Sequence, residues 1–162
     1  MENKTKVTAE AGKQEYLITR EFDLPLELLF SAFMEPELVE QWMGTTVLKL
    51  ESKKHGGYQL ETKDAQGNVV FRANGVIHEL IPNRKIIRTF EMENAPAGVQ
   101  LEVYEFEKET DDSSKLNMHV IFESLEKRDQ VLQYGLVQGV NWAHNRLQEV
   151  IGKLNKSYGT QG

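Results

Sequence analysis

The chain has 162 residues, no cysteine and a formal net charge of −6. Lacking thiols, it has no disulfide framework, no thiolate nucleophile and no cysteine–zinc site. The acidic balance argues against a broad basic face and so against nucleic acid as a partner. An apolar share of 40% suffices for a core, and the length suits one domain.

Residues 1–13 are polar and read as a loose lead-in, 14–156 as a single domain and 157–162 as a frayed end. Met1 to Lys6 leads into no apolar run, so no secretory signal is expected. No window approaches the roughly 20 apolar residues of a bilayer span, and a cytoplasmic protein is expected. Glu15 to Phe22 alternates, with Tyr16, Ile18 and Phe22 on one side and Leu17 and Thr19 on the other, which predicts a strand. Pro25 suits the first turn of a helix, and Leu26, Leu29, Phe30 and Phe33 follow at helical spacing. Pro36 starts a second short helix with Leu38, Val39, Trp42 and Met43 on its apolar side, and Gly44 closes it.

A β-rich region follows. Strands are predicted at residues 46–52, 58–63, 69–80, 86–93, 101–108 and 116–122, separated by short turns such as Asp64 to Asn68 and Pro82-Asn83. Short connections favour antiparallel neighbours. Ser124 is a candidate helix cap. From there Leu132, Leu136, Gly139, Val140, Ala143, Leu147, Val150, Ile151 and Leu154 hold helical spacing, predicting one long C-terminal helix. The resulting fold is α+β: about six or seven antiparallel strands form a curved sheet wrapped around that helix, with two short helices after the first strand.

Ile18-Thr19-Arg20-Glu21-Phe22-Asp23-Leu24-Pro25, Leu29-Phe30, Pro36-Glu37-Leu38 and Gln41-Trp42 together resemble the opening signature of the SRPBCC (START-like) superfamily. The chain is most similar to the branch typified by the C-terminal domain of the activator of Hsp90 ATPase. Further matching pieces are Gly56-Gly57-Tyr58, Gly67, Asn74-Gly75, Glu79 to Arg84, Arg128-Asp129, Gly135, Gly139 and Arg146-Leu147. The resemblance implies a helix-grip fold with a cavity between sheet and long helix. Superfamily members bind lipids, steroids, polyketides and other apolar molecules there, and some act as cyclases or dehydratases. Members often carry Trp where this chain has Val140, and an aliphatic or aromatic residue where it has His144.

An apolar or amphipathic small molecule is therefore the expected partner, each buried ligand methylene contributing about 0.8 kcal/mol. A chaperone partner, or a cavity enzyme of cyclase or hydrolase type, are the other readings. A monomer or weak homodimer is expected. Candidate lining residues are Phe30, Trp42, Phe71, Phe90, Tyr104, Phe106, Met118, Phe122, Val140 and His144, although most large apolar residues of a domain this size are core. His144 lies on or beside the buried stripe of the long helix, so it reads as a satisfied core histidine or as a polar anchor for a ligand. Gly135 and Gly139, four apart in a helical pattern, read as a close approach to the sheet or as room for a ligand.

No catalytic set, cofactor motif or metal-ligand spacing appears. His55, His78 and His119 are scattered, and His119 is out of phase with Leu116, Met118 and Val120. A nucleophile elbow is absent, and Gly152-Lys153 lacks the rest of a P-loop. Glu102, Glu105, Glu107 and Glu109 read as a solvated sheet face.

Overall fold

The computed structural model describes residues 4–93 and 95–159, with side chains to residue 155. Eight strands form one antiparallel sheet: β1 (Lys6–Thr8), β2 (Glu15–Phe22), β3 (Thr46–Leu50), β4 (Gly57–Lys63), β5 (Val69–Ile81), β6 (Lys85–Met92), β7 (Val99–Thr110) and β8 (Ser113–Ile121). Their order is β1-β2-β8-β7-β6-β5-β4-β3. From β3 to β8 the chain is a meander, because each connection is short enough for sequential neighbours to pair. β2 then zips onto β8, with Tyr16 opposite Val120 and Ile18 opposite Met118.

Helices α1 (Leu26–Met34) and α2 (Pro36–Met43) carry the chain between the two halves of the sheet. Pro36 occupies the first turn of α2, and Gly44 ends it in the left-handed conformation (φ 66°). The C-terminal segment forms α3 (Leu125–Gln133) and α4 (Leu136–Gly159). This α+β arrangement is a helix grip.

Three details depart from expectation. The eighth strand is β1, whose three residues pair with Leu17 to Thr19 although they lie in the polar lead-in. Residues 1–3 of that lead-in and 160–162 of the expected frayed end lie outside the described residues, whereas 157–159 continue α4. The C-terminal helical pattern is two helices, because Gly135 adopts φ 84° after Tyr134 has left helical geometry. Ser124 does cap α3, accepting a hydrogen bond from the Lys127 amide at 3.2 Å.

The strands alternate as their sequences do. Tyr16, Ile18, Phe22, Leu116, Met118 and Val120 are buried, while His119 points outward, its Nε2 2.9 Å from a Glu15 carboxylate oxygen. On α4, Leu147 and Ile151 are fully buried, and Trp142, on the opposite side, is 65% exposed. The nearest backbone neighbours of α4 are α1, α2, α3 and edge strand β1. Its backbone is thus held away from the middle strands of the sheet. Space remains over β6 and β7.

Candidate functional site

That space is a cavity of about 220 Å³. Its floor comes from β2, β4, β6, β7 and β8, its walls from α1 and α2, and its roof from Leu136, Val140, Ala143 and His144 of α4. Most of the lining is apolar. Trp42 is fixed there by donating its indole N–H to the Ala32 carbonyl at 2.7 Å, and its ring meets Phe33 edge-on at 5.3 Å.

Of the residues proposed from sequence, Trp42, Phe90, Tyr104, Met118, Val140 and His144 line this cavity. Phe30, Phe106, Phe122 and Phe71 do not. Phe30 of α1 and Phe106 of β7 pack edge to face at 5.1 Å, and the Phe122 ring lies 5.5 Å from that of Tyr16. Phe71 is partly buried against the core from β5. Their hydrophobicity is the same as that of the lining set, and only their position along each strand separates them. Gly139 has open space where a side chain would project, so close approach to the sheet is not its role.

The floor also carries a polar group that the sequence reading placed on a solvated face. Glu102 is in phase with Tyr104 and Phe106, not with Glu105, Glu107 and Glu109, and is 3% exposed. Arg88, between Ile86 and Phe90 on β6, lies directly opposite it in the register. Arg88 Nε donates to Glu102 Oε1 at 2.8 Å and Nη2 to the Tyr104 hydroxyl at 2.8 Å. The Tyr104 hydroxyl donates to the same carboxylate oxygen at 2.9 Å, and Gln100 donates to Glu102 Oε2 at 2.7 Å. The guanidinium lies 4.7 Å from the Tyr58 ring centroid and 5.0 Å from that of Tyr104. Gly75 makes room for this stack, since a Cβ there would collide with the Thr89 carbonyl and the Tyr58 ring.

Burial works against the Arg88 charge, but Tyr104, Tyr58 and Glu102 outweigh it and hold the guanidinium ionised. Burial also lifts the phenols of Tyr16, Tyr58 and Tyr104 above the usual tyrosine range. The Glu102 carboxylate reinforces that shift, while Arg88 opposes it at Tyr58 and Tyr104. All three phenols therefore remain protonated. The period-two phase of Arg88 and Glu102 with their apolar neighbours was the available signal for this pair.

At the roof, His144 Nδ1 lies 2.8 Å from Thr5 Oγ1. Arg20 is buried and donates through Nη1 to Asn145 Oδ1 at 2.6 Å and to Thr5 Oγ1 at 3.3 Å. Burial, and then the Arg20 cation, push the His144 pKa from 6.5 down to about 3. The unfolded chain therefore binds a proton at this site that the folded chain refuses. The stabilisation is complete above pH 6.5 and is lost progressively as pH falls toward 3. In urea titrations, wild type is expected to lose more stability than His144→Gln between pH 7 and pH 4, by about 2 kcal/mol or more. Equal losses would contradict the neutral imidazole.

Comparison with known proteins gives the fold its family. The model of the family "Activator of Hsp90 ATPase homolog 1-like protein" matches residues 23–152. The chain belongs to this family. A Mycobacterium smegmatis protein of known structure is 20% identical, with a TM-score of 0.78 over 90% of this chain and 95% of its own. A Rhodobacter sphaeroides protein is 18% identical, with a TM-score of 0.80 over 94% of this chain and 99% of its own. A protein from Arthrobacter aurescens is 16% identical, with a TM-score of 0.80 over 91% of both chains. These structures share the family fold. No curated protein matches the sequence. No helix among the described residues is long and apolar enough to cross a membrane.

Proposed function

We propose that this protein binds a small apolar or amphipathic molecule in the cavity between the sheet and α4. The observation carrying this reading is the 220 Å³ of unfilled space under Val140, walled chiefly by hydrocarbon and aromatic rings. Unfilled apolar space forfeits dispersion contacts, and an apolar guest restores them. The volume is below the roughly 300–1,000 Å³ of drug-sized sites and above the roughly 150 Å³ that admits benzene, which favours a compact guest over a long-chain lipid.

Trp42 lines the cavity and Trp142 is exposed, and the chain has two tryptophans in all. In a Trp142→Phe background, Trp42 therefore becomes a sole reporter. Titration with isopropylbenzene is expected to shift its emission with saturation, and native mass spectrometry after detergent-free purification to reveal a carried small molecule. Absence of both the shift and the carried mass would overturn the reading.

Family membership supports a second reading, a co-chaperone role toward an Hsp90-type ATPase. Stimulation of such an ATPase by saturating protein tests it, and no stimulation removes it. The cavity-enzyme reading requires convergent ionisable groups with free chemistry. Arg88 and Glu102 converge, but their hydrogen bonds are directed chiefly at each other, Tyr104 and Gln100, which suits a structural pair better than an acid–base couple.

A further inference from the structure

The roof histidine is held so that one ring nitrogen is engaged and the other is open. Thr5 Oγ1 accepts a hydrogen bond from Arg20 Nη1, leaving the threonine O–H to donate. The acceptor within reach is His144 Nδ1 at 2.8 Å, and Thr5 has no other hydroxyl acceptor among the described residues. With Nδ1 accepting, the ring proton of a neutral imidazole sits on Nε2. Nε2 makes no hydrogen bond among the described residues, yet it is not sealed from contact, and the ring lines the cavity. His144 as a whole is only 5% exposed. An N–H that opens onto a largely apolar cavity takes its acceptor from whatever occupies that cavity, water or the polar atom of a guest.

The remaining polar groups narrow what that acceptor is. Lining the cavity are one cation, Arg88, and one carboxylate, Glu102, already joined at 2.8 Å. Nothing else in the lining carries charge, so a carboxylate guest would leave a buried negative charge unbalanced. The Tyr16 hydroxyl also borders the cavity and makes no hydrogen bond among the described residues. It can donate to the same guest.

We infer that the cavity selects a compact, uncharged molecule bearing a carbonyl oxygen, which accepts a hydrogen bond from His144 Nε2–H while its hydrocarbon body lies among Trp42, Phe90, Met118 and Val140. This rests on the cavity-binding reading above. Thr5 is a positioning residue: it touches no guest and fixes which imidazole nitrogen carries the proton.

The test compares acetophenone, isopropylbenzene and benzoate, three probes of similar size, by NMR chemical-shift titration. Acetophenone is expected to bind roughly tenfold tighter than isopropylbenzene, and benzoate weakest. His144→Leu should abolish the preference for the ketone while keeping hydrocarbon binding. Thr5→Val should reduce that preference several-fold. The side-chain nitrogen-15 spectrum of wild type should show His144 protonated on Nε2, an observation that needs no variant to fold.

Hydrocarbon binding without ketone preference, a preference unchanged in His144→Leu, or a proton on Nδ1 would each overturn the inference and leave cavity binding standing. Tightest binding of benzoate would overturn the uncharged class. Binding of none of the three would remove both the inference and the cavity reading.

Discussion

Glu102→Leu is expected to destabilise the protein by about 3–5 kcal/mol, because it leaves the Arg88 guanidinium buried without its counter-charge. The Arg88 and Glu102 side chains are 13% and 4% exposed, so water replaces the lost partner only poorly. The Tyr104 hydroxyl loses its acceptor in the same step, and Gln100 loses the carboxylate oxygen it donates to. In urea, the unfolding midpoint should drop sharply with little change in slope, and thermal unfolding should move down by roughly 10 °C. The double variant Arg88→Met with Glu102→Leu should recover most of the loss, since a hydrophobic pair of similar volume avoids the desolvation of two ions. If the single variant costs under about 1 kcal/mol, the pair is hydrated and the cavity floor is open to solvent.

Val140→Trp is expected to abolish binding of isopropylbenzene and acetophenone, by at least about a hundredfold, while leaving the fold intact. Val140 forms part of the roof directly over the hollow, so a larger ring at that position occupies the volume a guest would take. Filling existing space adds buried apolar area, whereas forcing a ring into a packed core costs about 1–3 kcal/mol. Thermal unfolding therefore discriminates: an unchanged or raised midpoint together with lost binding means the space was there. A fall of several degrees with probe binding retained would mean the guest sits elsewhere.

Much of this architecture was legible in the sequence because it follows from periodicity. Alternation in Glu15 to Phe22 and in Leu116 to Phe122 fixes which faces are buried, and Leu147 and Ile151 mark the gripping side of α4. Punctuation was legible as well: Pro36, Gly44 and Ser124 act as their chemistry requires. β1 was not legible, because three polar-flanked residues carry too few side chains to show a period. Its pairing is reinforced from outside the strand, since Arg128 on α3 donates to the Glu10 carbonyl at 2.6 Å just beyond β1. The break at Gly135 was hidden because helical spacing survives it, and only the sign of φ reveals it.

At the site, the aromatic candidates separate by position, some lining the cavity and others packing elsewhere in the core. Phe106 and Tyr104 are two residues apart on one face of β7, but α1 covers the first while the cavity reaches the second. Sequence spacing gives the face and not the distance along it. Charge alone marks Glu102 and Arg88 as exposed residues, whereas their phase with Tyr104 and Ile86 points inward. The burial of His144 agrees with its place on the apolar stripe, but its link to Thr5 spans 139 positions and has no local trace.

Because α4 rests on neighbouring helices and an edge strand, roof and floor are supported independently. A change in what the hollow accepts can then be made at Val140 or Ala143 without touching the strands beneath. The molecule is built like a box whose cover rests on its rim, so the volume of the hollow can be altered from the cover alone.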